Sequence, residues 1–292
     1  MRTEVIAIFG PTASGKSAAA GIVAKRLRTE IVSADALQVY RGLAILTNQP
    51  AAPTRLVAIR DLDETMSVGE YAGLAHAAID ELVTRHGSAV VAGGTGLYLR
   101  AALADLGIPP AGDPDTRCQR EDEYDADPRG AFARLAALDP AAAAKVHVND
   151  RRRVVRALEL AEAGTSLAPD RDRLWSSTTR RPTLVVGLDL ASAVLAQRIT
   201  RRTDEMLARG AREEVRTALA GSVSRTARQA LGLDELASLR HDEAREQIIR
   251  RTCRYAAYQR KWMLRIPGVA LVDADQPRER VADAILDLAR GR

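Results

Sequence analysis

The sequence predicts an α/β fold, a doubly wound parallel sheet with a helical insertion. Three observations carry that expectation. Short apolar runs alternate with helix-patterned segments over roughly the first hundred residues. Two of those runs end in glycine-rich turns, as strands do when their carboxyl ends line a ligand crevice. From about Pro109 the alternation gives way to helical segments, and no convincing strand follows until Thr183.

The first run, Val5-Ile6-Ala7-Ile8-Phe9, reads as a buried strand, and residues 18–27 form an alanine-rich helical segment. Between them lie Gly10, Pro11, Thr12, Ala13, Ser14, Gly15, Lys16 and Ser17, which meet the G-x-x-x-x-G-K-S spacing of a P-loop in full. Backbone amides of such a loop turn inward on an anion at a helix N-terminus, where the helix dipole adds to the field. Lys16 then reaches the terminal phosphates and the Ser17 hydroxyl serves a magnesium ion. A second short strand is expected at 30–33, and Asp35 after it should face the same crevice. Residues 41–60, with Pro50 and Pro53, read as irregular.

Ser67-Val68-Gly69-Glu70 has the pattern of a capping box, in which the serine accepts from the amide of Glu70 and that carboxylate reaches back. The helix it starts should stop near Gly87. A third strand over 88–92 leads into Gly93-Gly94-Thr95-Gly96-Leu97-Tyr98, a second glycine-rich turn at the same sheet edge. Asp127-Pro128 and Asn149 read as helix starts and Gly164 as a stop. The expected organisation is therefore a P-loop core from 1–112 and 181–292, interrupted by a helical insertion over 113–180. After the insertion come a strand at 183–188, long helices, a short strand at 269–272 and a last helix over 278–289.

Among 292 residues, 46% are hydrophobic and 28% charged, a globular composition. No charged-then-apolar leader or run of about twenty apolar residues appears, so a cytoplasmic protein without a membrane partner is expected. Cys118 and Cys253 belong to no C-x-x-C pair, and the four histidines show no metal-ligand spacing. The excess of 43 Lys+Arg over 38 Asp+Glu is small, and the clustering of the arginines is the better pointer to a polyanion. Arg152, Arg153 and Arg156 fall within one turn of a predicted helix, a face suited to nucleic-acid phosphates unless neighbouring acids neutralise it. A second basic stretch, from Arg250 through Trp262, adds aromatic side chains.

Nucleotide-cleaving P-loop proteins use a second acid at the end of an apolar strand to hold magnesium. Here the third strand ends Val91-Ala92-Gly93-Gly94-Thr95, with no carboxylate. Asp35 is the acidic candidate in the crevice, as a base, a substrate contact or a metal contact. The site suits the holding of a diphosphate and does not require cleavage of a nucleotide.

These stretches together resemble the tRNA dimethylallyltransferases, which isopentenylate the adenosine beside the anticodon. The resemblance rests on residues 10–17, Ser33-Ala34-Asp35-Ala36-Leu37-Gln38-Val39-Tyr40-Arg41-Gly42, the Gly93 to Tyr98 turn, residues 149–159, Gln229-Ala230-Leu231-Gly232 and residues 252–262. It implies that dimethylallyl diphosphate sits in the P-loop, with Lys16 and Mg2+ near Ser17 neutralising the leaving group. It implies further that Asp35 is the general base on the exocyclic amine of a flipped adenine, with Thr95 orienting the reacting groups. By the same resemblance Asp35, Ala36, Leu37, Gln38, Thr95, Arg117, Arg152, Arg153, Val154, Val155 and Arg156 contact tRNA, Gln38 at the flipped base. The insertion grips the anticodon stem-loop, and a monomer is expected.

The chain departs from the family pattern where Leu46-Thr47-Asn48-Gln49-Pro50 replaces a G-T-A-K-P segment, where Thr54-Arg55 replaces a histidine pair, and where Ala257-Tyr258 replaces a basic pair. Three rivals predict other features. A small-molecule kinase calls for a metal-binding acid after the third strand. A transferase acting on free adenine nucleotides needs no basic insertion, and a non-catalytic RNA-binding protein has no use for Lys16, Ser17, Asp35 and Thr95 together.

Overall fold

The structure, a computed structural model, describes residues 3–109, 112–168 and 173–291. Of the expected core and insertion spans, residues 1–2, 110–111, 169–172 and 292 lie outside the described residues. Two compact units are present, one formed by Met1–Leu106 with Leu174–Arg292 and the other by Gly107–Arg173.

The first unit opens with β1 (Val5–Phe9), α1 (Lys16–Leu27), β2 (Ile31–Ser33) and β3 (Thr54–Arg55), followed by α2 (Val68–His86), β4 (Ala89–Gly93) and α3 (Gly96–Leu103). Every strand of its six-stranded sheet is parallel to its neighbours, in the order β3-β2-β4-β1-β5-β6. The chain moves outward from β1 to one side and later returns to fill the other side. That reversal opens a crevice at the carboxyl ends of β1 and β4. Alternation along the strands supplies both faces. Ile6, Ile8, Val90, Leu184 and Val186 pack with Ala20, Val23 and Ala24 of α1, while α2 and α3 cover the opposite face.

Two local expectations are corrected. Residues 41–60 are not wholly irregular, because Thr54–Arg55 pairs with Ile31–Val32 as an edge strand. Two residues cannot display an alternation. The strand is held by its arginine, whose guanidinium donates to Glu30 at 3.0 Å and to Glu81 at 2.6 Å. The capping box forms by half. Ser67 accepts from the Glu70 amide at 3.1 Å, but the Glu70 carboxylate pairs with Arg60 instead of reaching back.

The second unit contains α4 (Pro114–Ala126), α5 (Pro128–Leu138), α6 (Pro140–Ala143) and α7 (Arg151–Glu162). Asp113, Asp127, Asp139 and Asp150 cap these helices in turn, and three of them precede a proline at the first helical position. Asp150, which accepts from the Arg153 amide at 3.2 Å, is the cap of α7, where the sequence suggested Asn149. Leu135, Val154, Val155 and Leu158 form the unit's own core.

Returning to the first unit, the chain forms β5 (Thr183–Asp189), α8 (Ser192–Ala208), α9 (Ala211–Leu219), α10 (Leu233–Ser238), α11 (His241–Arg265), β6 (Ala270–Asp273) and α12 (Arg278–Arg290). The segment entering β5 belongs to this unit, since the buried Arg100 donates to the carbonyls of Leu174 and Ser176, each at 2.8 Å. Helix α12 packs on α1 over the sheet through Val281, Ala282 and Ile285.

Candidate active site

The P-loop sits between β1 and α1. Gly15 adopts φ 92°, which a side chain would resist, and the loop so turned delivers Lys16 and Ser17 into the first turn of α1. A cavity of about 530 Å³ opens beside it, lined by Gly15, Lys16 and Ser17 and by Arg198, Arg201 and Arg202 of α8. Arg202 donates to the Thr12 hydroxyl at 2.8 Å. Burial lowers the pKa of Lys16 to about 8, aided by Arg202 and opposed by Asp35. Burial also lowers Arg202 from its ordinary value. Ser14 is buried, and its hydroxyl oxygen has no hydrogen-bond partner among the described residues. Desolvated cations and an orphaned hydroxyl in one concavity are the electrostatic signature of an anion site.

The second glycine turn meets this loop and the end of β2. The Thr95 amide donates to the Ala34 carbonyl at 3.3 Å, and the Thr95 hydroxyl accepts from the Ala36 amide at 3.1 Å. Asp35 accepts from the Leu37 amide through Oδ1 at 3.0 Å. Its Oδ2 has no hydrogen-bond partner among the described residues. Burial, with Asp35 next in effect, pushes the pKa of Tyr255 on α11 up to about 12, and the nearby polar side chains of Thr95 and Gln259 oppose the shift. The fold thus brings Lys16, Asp35 and Thr95, which lie far apart in sequence, to one crevice.

Other expected site residues are placed differently. Gln38 is occupied by the protein itself. It accepts from the Ser33 hydroxyl at 2.9 Å and donates to the carbonyls of Thr47 and Asn48 at 3.3 and 3.1 Å, so it braces the 47–48 turn. Ala36 and Leu37 flank it, half-buried. Val154 and Val155 are 0% and 1% exposed in the core of the second unit, so their side chains are not available to RNA. Their spacing on α7 serves packing.

Arg117, Arg152, Arg153 and Arg156 gather on α4 and α7 of that unit. Arg156 pairs with the buried Glu159 at 3.1 Å, and Arg117 with Glu121 at 3.2 Å. Arg153 lies 3.7 Å from Asp150, and Arg152 is exposed with no ion pair among the described residues. Arg152 and Arg153 are therefore the most available cations of the four.

At the departures from the family pattern, Gln49 donates to the carbonyls of Gln38 and Tyr40 at 3.2 and 2.7 Å, and Asn48, at φ 50°, lines the cavity. Tyr258 is 57% exposed and accepts from the Trp262 indole at 3.0 Å. Sequence reasoning missed Arg198, Arg201 and Arg202. Their i, i+3, i+4 spacing on a helix following a core strand is the signal that could have found them.

Comparison with known proteins identifies the family. The family model described as IPP transferase matches residues 38–265, and the one described as Isopentenyl transferase matches residues 3–61. The tRNA dimethylallyltransferase of Anaeromyxobacter dehalogenans strain 2CP-C is 40% identical, over 96% of this chain and 98% of its own. That of Salinispora arenicola is 38% identical, over 92% of this chain and 82% of its own. Among solved structures, the tRNA isopentenylpyrophosphate transferase of Bacillus halodurans superposes with a TM-score of 0.72 at 30% identity, covering 99% of this chain and 96% of that one. With a P-loop, an acid and a threonine at one crevice and relatives matched over nearly its whole length, the chain belongs to the IPP transferase family, that of the tRNA dimethylallyltransferases.

Proposed function

We propose that this chain transfers a dimethylallyl group from dimethylallyl diphosphate to the exocyclic amine of the tRNA adenosine on the 3′ side of the anticodon. The observation that carries the reading is the meeting of an anion cradle, formed by the P-loop and Arg202, with Asp35 and Thr95 in one crevice. The diphosphate binds against the loop amides, Lys16 and Arg202, which draw negative charge onto the departing oxygens. The adenine must leave its stack to reach the crevice. As its nitrogen bonds to the prenyl carbon, the carbon–oxygen bond to diphosphate breaks, and Asp35 Oδ2 receives the amine proton. Thr95, its hydroxyl oxygen tied to the Ala36 amide, orients the acceptor beside Asp35.

The residues fit a magnesium ion. Among the described residues no group of three acidic, histidine or cysteine side chains could cage a metal, while Ser17 is exposed in the first turn of α1 beside the anion cradle. One hydroxyl supplemented by substrate phosphate oxygens and water is a donor set that suits Mg2+. When bound, the ion adds positive charge at the diphosphate leaving group.

Arg152 and Arg153 offer phosphate contacts to the tRNA anticodon stem-loop, with Arg117 and Arg156 more constrained by their carboxylate partners. The two free thiols favour a cytoplasmic location, and no described helix is long and apolar enough to cross a membrane. The reading includes a monomeric enzyme, which sedimentation tests. The function is tested by incubating the protein with unmodified tRNA and labelled dimethylallyl diphosphate, with AMP and ATP as parallel acceptors. Label is expected in tRNA alone, and label confined to the free nucleotides refutes the acceptor assignment.

A further inference from the structure

Helix α11 contacts β5 and reaches the turns that follow β1 and β4. Arg260 pairs with Asp189 at the end of β5, at 2.7 and 3.0 Å. Met263 packs against Gly187 of the same strand, and the Trp262 ring lies against Gly96. Between these contacts Gln259, 3% exposed, uses both ends of its amide. Its Oε1 accepts from the Thr12 amide in the P-loop at 2.8 Å, and its Nε2 donates to the Gly94 carbonyl beside Thr95 at 2.8 Å.

Only one orientation of the amide satisfies both partners, because a backbone N–H needs an acceptor and a carbonyl needs a donor. The glycine at 94 admits this contact, since a Cβ there would stand 2.3 Å from Nε2. The P-loop holds one substrate and the Gly94–Thr95 turn orients the other. Both arrive on separate strands, and one buried side chain spans them.

We infer that Gln259 is a positioning residue that fixes the distance between the diphosphate cradle and the acceptor turn, so that the prenyl carbon is presented to the amine at bonding range. The inference rests on the proposed transfer. Gln259 touches neither reacting atom and acts through Thr12 and Gly94. A side chain that keeps the volume but loses the paired donor and acceptor should leave each substrate bound in a misaligned pair. Misplacement of this kind is felt in the chemical step more than in either affinity.

The test uses Gln259→Met and Gln259→Glu in the full chain. In single-turnover transfer with both substrates saturating, each variant is expected to lose about tenfold or more in rate, with each KM within about threefold of the parent value. A rate within about twofold of the parent, or a raised KM at unchanged rate, overturns the inference.

A second measurement needs no folded variant. Hydrogen exchange is followed in the parent chain with inorganic diphosphate as the probe. Protection is expected at residues 10–17 and, through Gln259, at residues 93–96. Protection confined to 10–17 overturns the coupling. Failure of the parent to transfer at all refutes the proposed function, and the exchange result then decides the coupling by itself.

Discussion

Lys16 gives the sharpest quantitative expectation. Its pKa of about 8 in the free protein follows first from burial and then from Arg202, with Asp35 working the other way. A bound diphosphate sets negative charge against the ammonium and raises that pKa again. Affinity is therefore fully present below about pH 8 and is lost as pH rises through it. Lys16 is about nine-tenths protonated at pH 7 and about one-tenth at pH 9, so the dissociation constant for dimethylallyl diphosphate should rise about tenfold, or about 1.4 kcal/mol. The ligand's own last ionisation, near pH 6 for a phosphate ester, is almost complete across this window and adds little. Titration calorimetry at pH 7, 8 and 9 and constant ionic strength measures the slope, and two buffers of different ionisation enthalpy measure proton uptake near pH 8.5. Lys16→Arg keeps its charge throughout and should flatten the profile. A parent affinity independent of pH over this range, or an equal slope in Lys16→Arg, would refute the assignment of Lys16 as the titrating anion contact.

Three further outcomes follow from the same geometry. Asp35→Asn removes the proton acceptor while keeping the shape, so transfer should fall by about 10²- to 10⁴-fold with tRNA affinity nearly unchanged in a filter-binding assay; equal loss of binding sinks the base assignment. Arg152→Ala deletes an exposed cation without an ion pair among the described residues. It should weaken tRNA binding without altering the melting temperature and lower the slope of log affinity against log salt by about one. Gly96→Ala places a Cβ 2.2 Å from the Trp262 ring, so the ring or the turn must shift. A stability loss of about 1–3 kcal/mol in denaturant titration, with slowed transfer, is expected, and a variant that matches the parent in both contradicts the packing described.

The parts of the site legible in the sequence are those whose partners are close along the chain or whose place follows from strand topology. The P-loop announces itself because strand, glycines, lysine and serine are contiguous. Asp35 and Thr95 follow because parallel strands place their carboxyl ends together. Gln259 was legible only as part of a basic stretch, since it meets Thr12 from 247 residues away. Arg202 meets Thr12 across 190 residues and had no local mark beyond its spacing with Arg198.

Strand β3 was hidden by its length, and its support comes from Arg55 reaching Glu30 and Glu81. The resemblance assigns Val154 and Val155 to tRNA contact together with their neighbours in a basic run. They are apolar positions of a helix packed on both sides of that run, and core packing claims them. The bonds of Gln38 to the 47–48 turn were hidden from the sequence for a related reason. A buried-edge amide is bonded by whatever backbone is nearest, and the 47–48 turn is nearest.

The central claim is that one crevice joins a prenyl diphosphate to a tRNA amine. The most direct test is the transfer of labelled dimethylallyl groups to unmodified tRNA by the parent chain, followed by nucleoside digestion to locate the label. The account predicts label on the exocyclic amine of the adenosine 3′ to the anticodon, with stoichiometric release of diphosphate. Diphosphate release without label in tRNA, or label on another nucleoside, would contradict it.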